Sequence, residues 1–337
     1  MSVRIGLIGA GRMGRVFAHT LAFSVAEAEL VAVADLMEGT LNEVVERYGA
    51  LAGYTNYQAL LERDDIQAVV IASPTQSHVE VVKAAAAAGK QIFCEKPLAM
   101  TLEGCDEAIQ AADAAGVRLQ VGFMRRYDAA YVMAKKQIEA GVIGTPVMFK
   151  STGRDPRCPS LAFARRESSG GLILDMGIHD FDAGRWLMGS EVERVSSEGG
   201  CLVFPELKVV GDIDNAVVNL KFSNGAIGNV DVSRNAVYGY DIRSEVLGSE
   251  GALLIGKMQQ TATLVMTRNG VTHDTVPFFM ERFGEAYAAE IADFVRCIQE
   301  DREVTVSGAD ARAATAIGVA ATISLDEERP VWVHEAG

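Results

Sequence analysis

The chain opens on VRIGLIGAGRMGRVFAHTLA, an apolar run that passes into Gly9-x-Gly11-x-x-Gly14 and then into a helical pattern. Strand, glycine turn and helix in that order leave few folds open. The glycines allow a tight turn and let the backbone of Gly9, Gly11, Arg12, Met13 and Gly14 approach a pyrophosphate at the helix N-terminus. A lone copy of this motif is weak; its context is what gives it weight. Asp35 closes the next apolar strand about 20 residues on, where a carboxylate can accept both ribose hydroxyls of an adenosine. Leu36 and Met37 follow it, so no arginine waits for a 2′-phosphate, and NAD is expected over NADP.

The same alternation continues. ELVAVAD, QAVVIAS, KQIFCEKP and VRLQVGF read as strands, with QSHVEVVKAAAAAG and LEGCDEAIQAADAAG as helices. Such a pattern predicts an α/β fold, a doubly wound parallel sheet of Rossmann type over residues 1–123. From residue 124 to 337 the expectation is an α+β domain with a large open antiparallel sheet. Its strands come from PVMFKSTG, NAVVNLKFSNGAIGNVDVSRN, IRSEVLGSEGALLIG and TATLVMTRNGVTHDTV, with Asn224-Gly225 and Asn269-Gly270 as hairpin turns.

In an open parallel sheet the ligand lies beyond the carboxyl ends of the strands. SPTQSH and CEKP therefore predict that Ser73, Thr75, Glu95 and Lys96 line the cofactor crevice, with His78 at a helix start beside the cofactor. Lys96 is wedged between Glu95 and Pro97 at a strand end and cannot swing easily into bulk water; the bland alternative is a loop lysine paired with Glu95. The tight approach makes Lys96–Pro97 a candidate for the cis isomer. GGLILDMGIHDFDAGRWL, residues 170–187, reads as one apolar helix with Asp175, His179 and Asp182 at i, i+4 and i+7. That stripe holds no Lys or Glu and is continued by Leu172 and Trp186, which suggests a partly closed pocket rather than a solvated face. A metal site lacks further His or Cys ligands, so none is expected.

A net charge of −14 argues against nucleic acid or an anionic membrane as partner. Five cysteines without a C-x-x-C pair read as reduced thiols of a cytoplasmic protein, and neither a leader peptide nor a membrane span is expected.

GLIGAGRMG, Asp35, EKP, GFMRRYD and GGLILDMGIHDFDAGRWLMG follow the order and separations seen in the glucose–fructose oxidoreductase, inositol dehydrogenase and rhizopine catabolism family, which the chain resembles along essentially its whole length. Within it, GFMRRYDAAY, GRDP and VYGYDI look most like the inositol 2-dehydrogenases. The resemblance implies Lys96, Asp175 and His179 as the catalytic set, and Arg125, Asp155 and Tyr238 as contacts to polyol or cofactor. The chemistry explains the residue types. Oxidising a secondary alcohol needs a base that is neutral near pH 7, which an imidazole supplies. A carboxylate can fix its tautomer, and an ammonium can stabilise alkoxide character on the substrate oxygen. Asp182, one turn further along, is expected to accept a substrate hydroxyl.

The expected function is NAD-dependent oxidation of a ring hydroxyl of a cyclitol or sugar, myo- or scyllo-inositol first. The alternatives are an NADP(H)-dependent keto-sugar reductase or aldose dehydrogenase of the same family, and, from another class, a noncatalytic dinucleotide sensor. RDPRCPSLAFARRESSGG, before the catalytic helix, has the look of a lid, and its four arginines could clamp a sugar acid. The alternating strands of the second domain outnumber the helices that could cover them, so a homo-oligomer, dimer or tetramer, is expected.

Overall fold

The computed structural model describes residues 2–337. Six strands, β1 (Val3–Ile8), β2 (Ala28–Ala34), β3 (Ala52–Tyr54), β4 (Ala68–Ile71), β5 (Gln91–Glu95) and β6 (Leu119–Gly122), form a wholly parallel sheet in the order β3-β2-β1-β4-β5-β6. Helices α1 (Arg12–Phe23), α2 (Glu38–Tyr48), α3 (Tyr57–Leu61), α4 (His78–Ala87) and α5 (Leu102–Ala115) connect them. Parallel strands covered on both faces must be apolar throughout, and Ala68–Ile71 is buried at every position. β3 was not foreseen, because three residues at a sheet edge are too short to show a period. The strand order reverses between β1 and β4, and their carboxyl ends open the crevice where such sheets take a ligand.

The next elements are α6 (Ala129–Glu139), β7 (Pro146–Arg154), the single turns α7 (Leu161–Ala164) and α8 (Arg166–Ser169), then α9 (Gly171–Asp175) and α10 (Gly177–Met188). They are followed by β8 (Val192–Gly200), β9 (Asn215–Phe222), β10 (Ile227–Ser233), β11 (Asp241–Gly248), β12 (Ala252–Ile255), β13 (Leu264–Thr267) and β14 (Gly270–His273). With β15 (Val331–Trp332) they build a seven-stranded sheet, β12-β11-β7-β10-β9-β8-β15, while β13 and β14 make a separate hairpin. Both predicted hairpins are present, with Gly225 and Gly270 at positive φ; Asn224-Gly225 lies in the first turn, whereas Gly270 pairs with Thr267 as the first residue of β14, so the second turn is Arg268-Asn269, one residue earlier than expected. The sheet corrects the expectation of purely antiparallel pairing: β7 and β10 run parallel. Neighbours of the same direction need a long crossover, and α7 to α10 lie in the chain between them. Phe149, Phe181, Val218, Leu220, Phe222, Val230, Val232 and Val246 join the inner face of the sheet to α10 in one core. Val147, Val217, Ile227, Leu247 and Leu254 stand exposed on the sheet strands.

Residues 170–187 are two helices, not one. The break falls at Met176, before Gly177, the poorest helix former after proline, and the His179 N–H reaches only three residues back, to the Met176 carbonyl at 3.4 Å. The segment expected as an irregular lid is built of α7 and α8; Ala164 is buried against Leu207 and Val210, with Cys158, Cys201 and Phe204 around them.

The chain ends with α11 (Phe279–Gln299), α12 (Gly308–Glu327) and β15. Its compact units are not the consecutive blocks 1–123 and 124–337. One is Met1–Tyr127 with Glu285–Ala313; the other is Asp128–Gly284 with Ala314–Gly337. The apolar stripe of α11 explains the return to the first unit: Tyr287 meets Phe17 edge-on at 6.1 Å, and Phe294 lies 5.9 Å from Phe93.

Candidate active site

In the first unit the glycine turn is fixed by close approach. Gly9 has φ +95°, and a Cβ there would sit 2.5 Å from the Ser73 nitrogen, so the loop after β1 lies against the loop after β4. A Cβ at Gly14 would strike the Gly9 carbonyl oxygen, so α1 can approach the turn only through glycine. At Gly11, the N-cap of α1, nothing lies within 4 Å of where a side chain would start. That open space at a helix N-terminus fits a pyrophosphate. Arg12 is exposed and Met13 half-buried beside it.

Asp35 Oδ2 accepts from the Ala10 N–H at 2.7 Å, and its Oδ1 accepts from the Met37 N–H at 2.8 Å. An ionised carboxylate has about four acceptor sites. Two therefore remain for the ribose hydroxyls of an adenosine. Leu36 is 86% exposed and Met37 68% exposed, and Arg15 is bound through both terminal nitrogens to Glu43, so none of these three side chains offers a free cation to a 2′-phosphate.

Ser73 and Thr75 are half-buried at the end of β4, where they were expected. His78 is not at the cofactor surface. It is 1% exposed, with Nδ1 2.8 Å from the Pro97 carbonyl and Nε2 2.9 Å from the Ser73 carbonyl. Burial holds this imidazole below its ordinary proton affinity, and a neutral ring donates from one nitrogen only. Sequence position puts it at the helix start; packing turns the ring inward, where it lies between the β4 loop and the β5 loop and donates to one of them.

The Lys96–Pro97 peptide is cis, as expected. Lys96 is half-buried, and its backbone N–H donates to Glu95 Oε2 at 2.9 Å. Burial drives the Glu95 carboxyl up to about 7, with the Lys96 charge pulling the other way. Gly122 leaves the room: a Cβ there would come within 3.4 Å of the Glu95 carboxyl. Glu290 of α11 is fully buried, neither of its carboxyl oxygens has a hydrogen-bond partner, and burial followed by the charge of Glu95 raises it well above the ordinary range. Sequence reasoning passed over Glu290, although it falls at helical spacing on the stripe of Tyr287, Ile291 and Phe294, where a charge stands out. Arg125 is buried in the turn after β6.

In the second unit, Asp175 ends α9 and His179 stands in the first turn of α10, both half-buried. Arg234, 2% exposed, reaches Asp175 Oδ2 with Nη1 at 3.5 Å and Asp212 Oδ2 with Nη2 at 3.1 Å. Neither Arg234 nor Asp212 was singled out from sequence. A signal existed for Arg234, which keeps the inward parity of Val230 and Val232 along β10. Asp182 corrects an expectation: it is 0% exposed and has no surface to offer a substrate. The i+7 argument failed because α10 rests on β7 and β10 and turns that position into the core.

Asp155 is half-buried and joined through its backbone to Ser233 and Ala236. Tyr238 Oη donates to Asp241 Oδ2 at 2.9 Å and accepts from Arg154 at 3.2 Å. Two of the four arginines considered for a sugar acid are engaged within the unit, Arg154 with Asp231 and Arg166 with Asp326. Arg157 lies over the Phe278 ring, and Arg165 is exposed. Among the described residues no group of three His, Cys, Asp or Glu side chains could hold a metal ion, and no helix is long and apolar enough to cross a membrane.

A Rossmann sheet with an acid at the end of its second strand, followed by an α+β unit, has the build of an NAD-dependent oxidoreductase, the class that its family matches show. Residues 3–123 match the model of the oxidoreductase family's NAD-binding Rossmann fold, and residues 135–333 match that family's C-terminal alpha/beta domain. The chain belongs to this family, that of glucose–fructose oxidoreductase, inositol dehydrogenase and the rhizopine catabolism proteins. It is 40% identical to a myo-inositol 2-dehydrogenase of Thermotoga maritima, with 99% of each chain covered. It is 39% identical to the NAD(+)-dependent scyllo-inositol 2-dehydrogenase of Bacillus subtilis, covering 98% of this chain and 96% of that one. The crystal structure of scyllo-inositol dehydrogenase from Lactobacillus casei with bound NAD(H) and scyllo-inositol superposes with a TM-score of 0.94 at 29% identity, over 99% of this chain and all of that one.

Proposed function

We propose that the chain oxidises a secondary ring hydroxyl of a cyclitol, myo- or scyllo-inositol, to the ketone in an NAD-dependent reaction. Bound NAD supplies the hydride acceptor. His179 takes the proton of the reacting hydroxyl, Asp175 holds the imidazole and stabilises its charged form, and Lys96 stabilises alkoxide character on the substrate oxygen. Gly9, Gly11, Arg12, Met13, Gly14 and Asp35 serve the adenosine and pyrophosphate, with Ser73, Thr75, Glu95 and Lys96 along the rest of the dinucleotide. Arg125, Asp155 and Tyr238 are assigned to polyol or cofactor contacts.

One observation carries the reading: Asp175, four residues before His179, is tied by a buried guanidinium whose other carboxylate partner, Asp212, is buried too. A protein that only sensed dinucleotide would have no use for a carboxylate held in that way. The inositol-bound relative and the two named inositol 2-dehydrogenases support the substrate class. The exposed apolar side chains of the seven-stranded sheet support a homo-oligomer, dimer or tetramer, and the reading sets the enzyme in the cytoplasm. The test is a panel of inositols and aldoses incubated with NAD and with NADP and followed by absorbance of the reduced cofactor. Turnover of myo- or scyllo-inositol with NAD is the expected result. Reaction only with a keto sugar and NADPH, or no reaction despite NAD binding, overturns it.

A further inference from the structure

Arg234 follows β10 and points into the second unit, with its backbone N–H on the Asp214 carbonyl at 2.9 Å. A guanidinium 2% exposed is too costly to leave unpaired, and Asp212, itself 3% exposed, meets it at 3.1 Å. Asp212 does a second thing: its Oδ1 accepts the Leu172 N–H, one of the open donors in the first turn of α9, at 2.8 Å. Gly171 leaves it room, for a Cβ there would lie 2.8 Å from that oxygen. Asp212 thus holds the start of α9, and Arg234 reaches the carboxylate at its end.

The two contacts of Arg234 are unequal. Asp212, the more buried partner, is the nearer at 3.1 Å; Asp175 is at 3.5 Å. Charge attraction grows as distance and local dielectric fall, so Asp212 is the stronger partner of the guanidinium and Asp175 the weaker. Asp212, Arg234 and Asp175 together carry one net negative charge. Cys158 lies within electrostatic reach of Arg234 and Asp212, and also of Glu206 and Asp214, and Asp180 and Asp182 are on α10 with His179.

We propose that Arg234 and Asp212 are positioning residues for the reaction: Arg234 fixes the Asp175 carboxylate, and Asp212 compensates Arg234 so that Asp175 keeps its charge for His179. The proposal rests on the reading of Asp175 as the partner of His179. It makes the two buried residues act on the imidazole through Asp175, without touching substrate. Removing the charge of Asp212 gives the guanidinium wholly to Asp175, and the imidazolium loses its counter-charge.

The test uses Asp212→Asn, Arg234→Gln and Arg234→Lys in the full chain, with two readouts. One is the pH profile of kcat/KM for inositol with NAD; the other is the NMR titration of the His179 ring in the protein without ligands, its signal assigned by its loss in His179→Gln. Asp212→Asn is expected to move both midpoints to lower pH, by roughly half a unit to one unit, leaving KM for NAD unchanged. Arg234→Gln is expected to slow hydride transfer about 10- to 100-fold, and Arg234→Lys to restore most of it. Midpoints that stay in place in Asp212→Asn, or a wild-type rate in Arg234→Gln, overturn the proposal. If the wild-type chain oxidises no inositol, the functional reading fails on its own, while the His179 titration in Asp212→Asn still decides whether the buried pair acts on the imidazole.

Discussion

Asp35 Oδ2 accepts a hydrogen bond from the Ala10 N–H at 2.7 Å, which ties the acid ending β2 to the glycine turn after β1. On the proposed cofactor assignment this carboxylate receives the ribose of the dinucleotide, and a 2′-phosphate there would meet a like charge. Binding titrations are expected to give NAD at least about tenfold tighter than NADP, with Asp35→Ser narrowing the gap. Equal affinities in the wild type would contradict this role.

Glu95 and Glu290 make the first unit sensitive to alkali. Glu95 is raised from 4.5 to about 7 and Glu290 is raised well above its ordinary value, burial being the leading cause for both. Below about pH 4.5 the carboxyls are protonated folded or unfolded; as pH rises toward 7 the unfolded chain gives up protons that the folded chain keeps, so stability falls through that window. Glu290→Gln, neutral at every pH, is expected to flatten the decline, raising Tm at pH 8 relative to pH 5 by on the order of a few degrees. Parallel Tm curves for variant and wild type would show that Glu290 is not held protonated.

His78 lies buried between two loops, so its loss is a matter of stability. His78→Ala removes a buried ring and the single hydrogen bond that the neutral imidazole donates, to either the Ser73 or the Pro97 carbonyl. Urea unfolding is expected to show a loss of roughly 2 to 4 kcal/mol. A loss under about 0.5 kcal/mol, the size of a surface change, would mean that the ring contributes nothing.

Legibility in the sequence followed the range of the interaction. The glycine turn, Asp35, the strand ends at Ser73 and Lys96 and both hairpins are local and legible, with only the second turn displaced by one residue, to Arg268-Asn269. β3, the parallel pairing of β7 with β10 and the return of α11 to the first unit depend on partners far along the chain. Asp182 and His78 were misplaced for a single reason: spacing gives the side of an element, and packing decides whether that side meets solvent. Arg234 and Glu290 were readable as charges on an inward stripe; Asp212 had no local signal.

The outer face of the seven-stranded sheet predicts assembly. Val217, Ile227 and Leu254 are exposed on β9, β10 and β12, and a second copy would cover them. Light scattering at micromolar protein is expected to give a dimer or tetramer, and Val217→Glu, on an interior strand, to shift it toward monomer. A wild-type monomer would refute the expectation.

In the proposed reaction His179 takes the proton of the hydroxyl being oxidised. Stopped-flow hydride transfer with ordinary and C-deuterated inositol tests it most directly in wild type and His179→Ala, after NAD titration has shown that both bind the cofactor. The expected result is near-unchanged NAD affinity and hydride transfer slowed by about two to four orders of magnitude in the variant, with an isotope effect showing that the chemical step is observed. Hydride transfer at the wild-type rate in His179→Ala across pH 6 to 9 would contradict it.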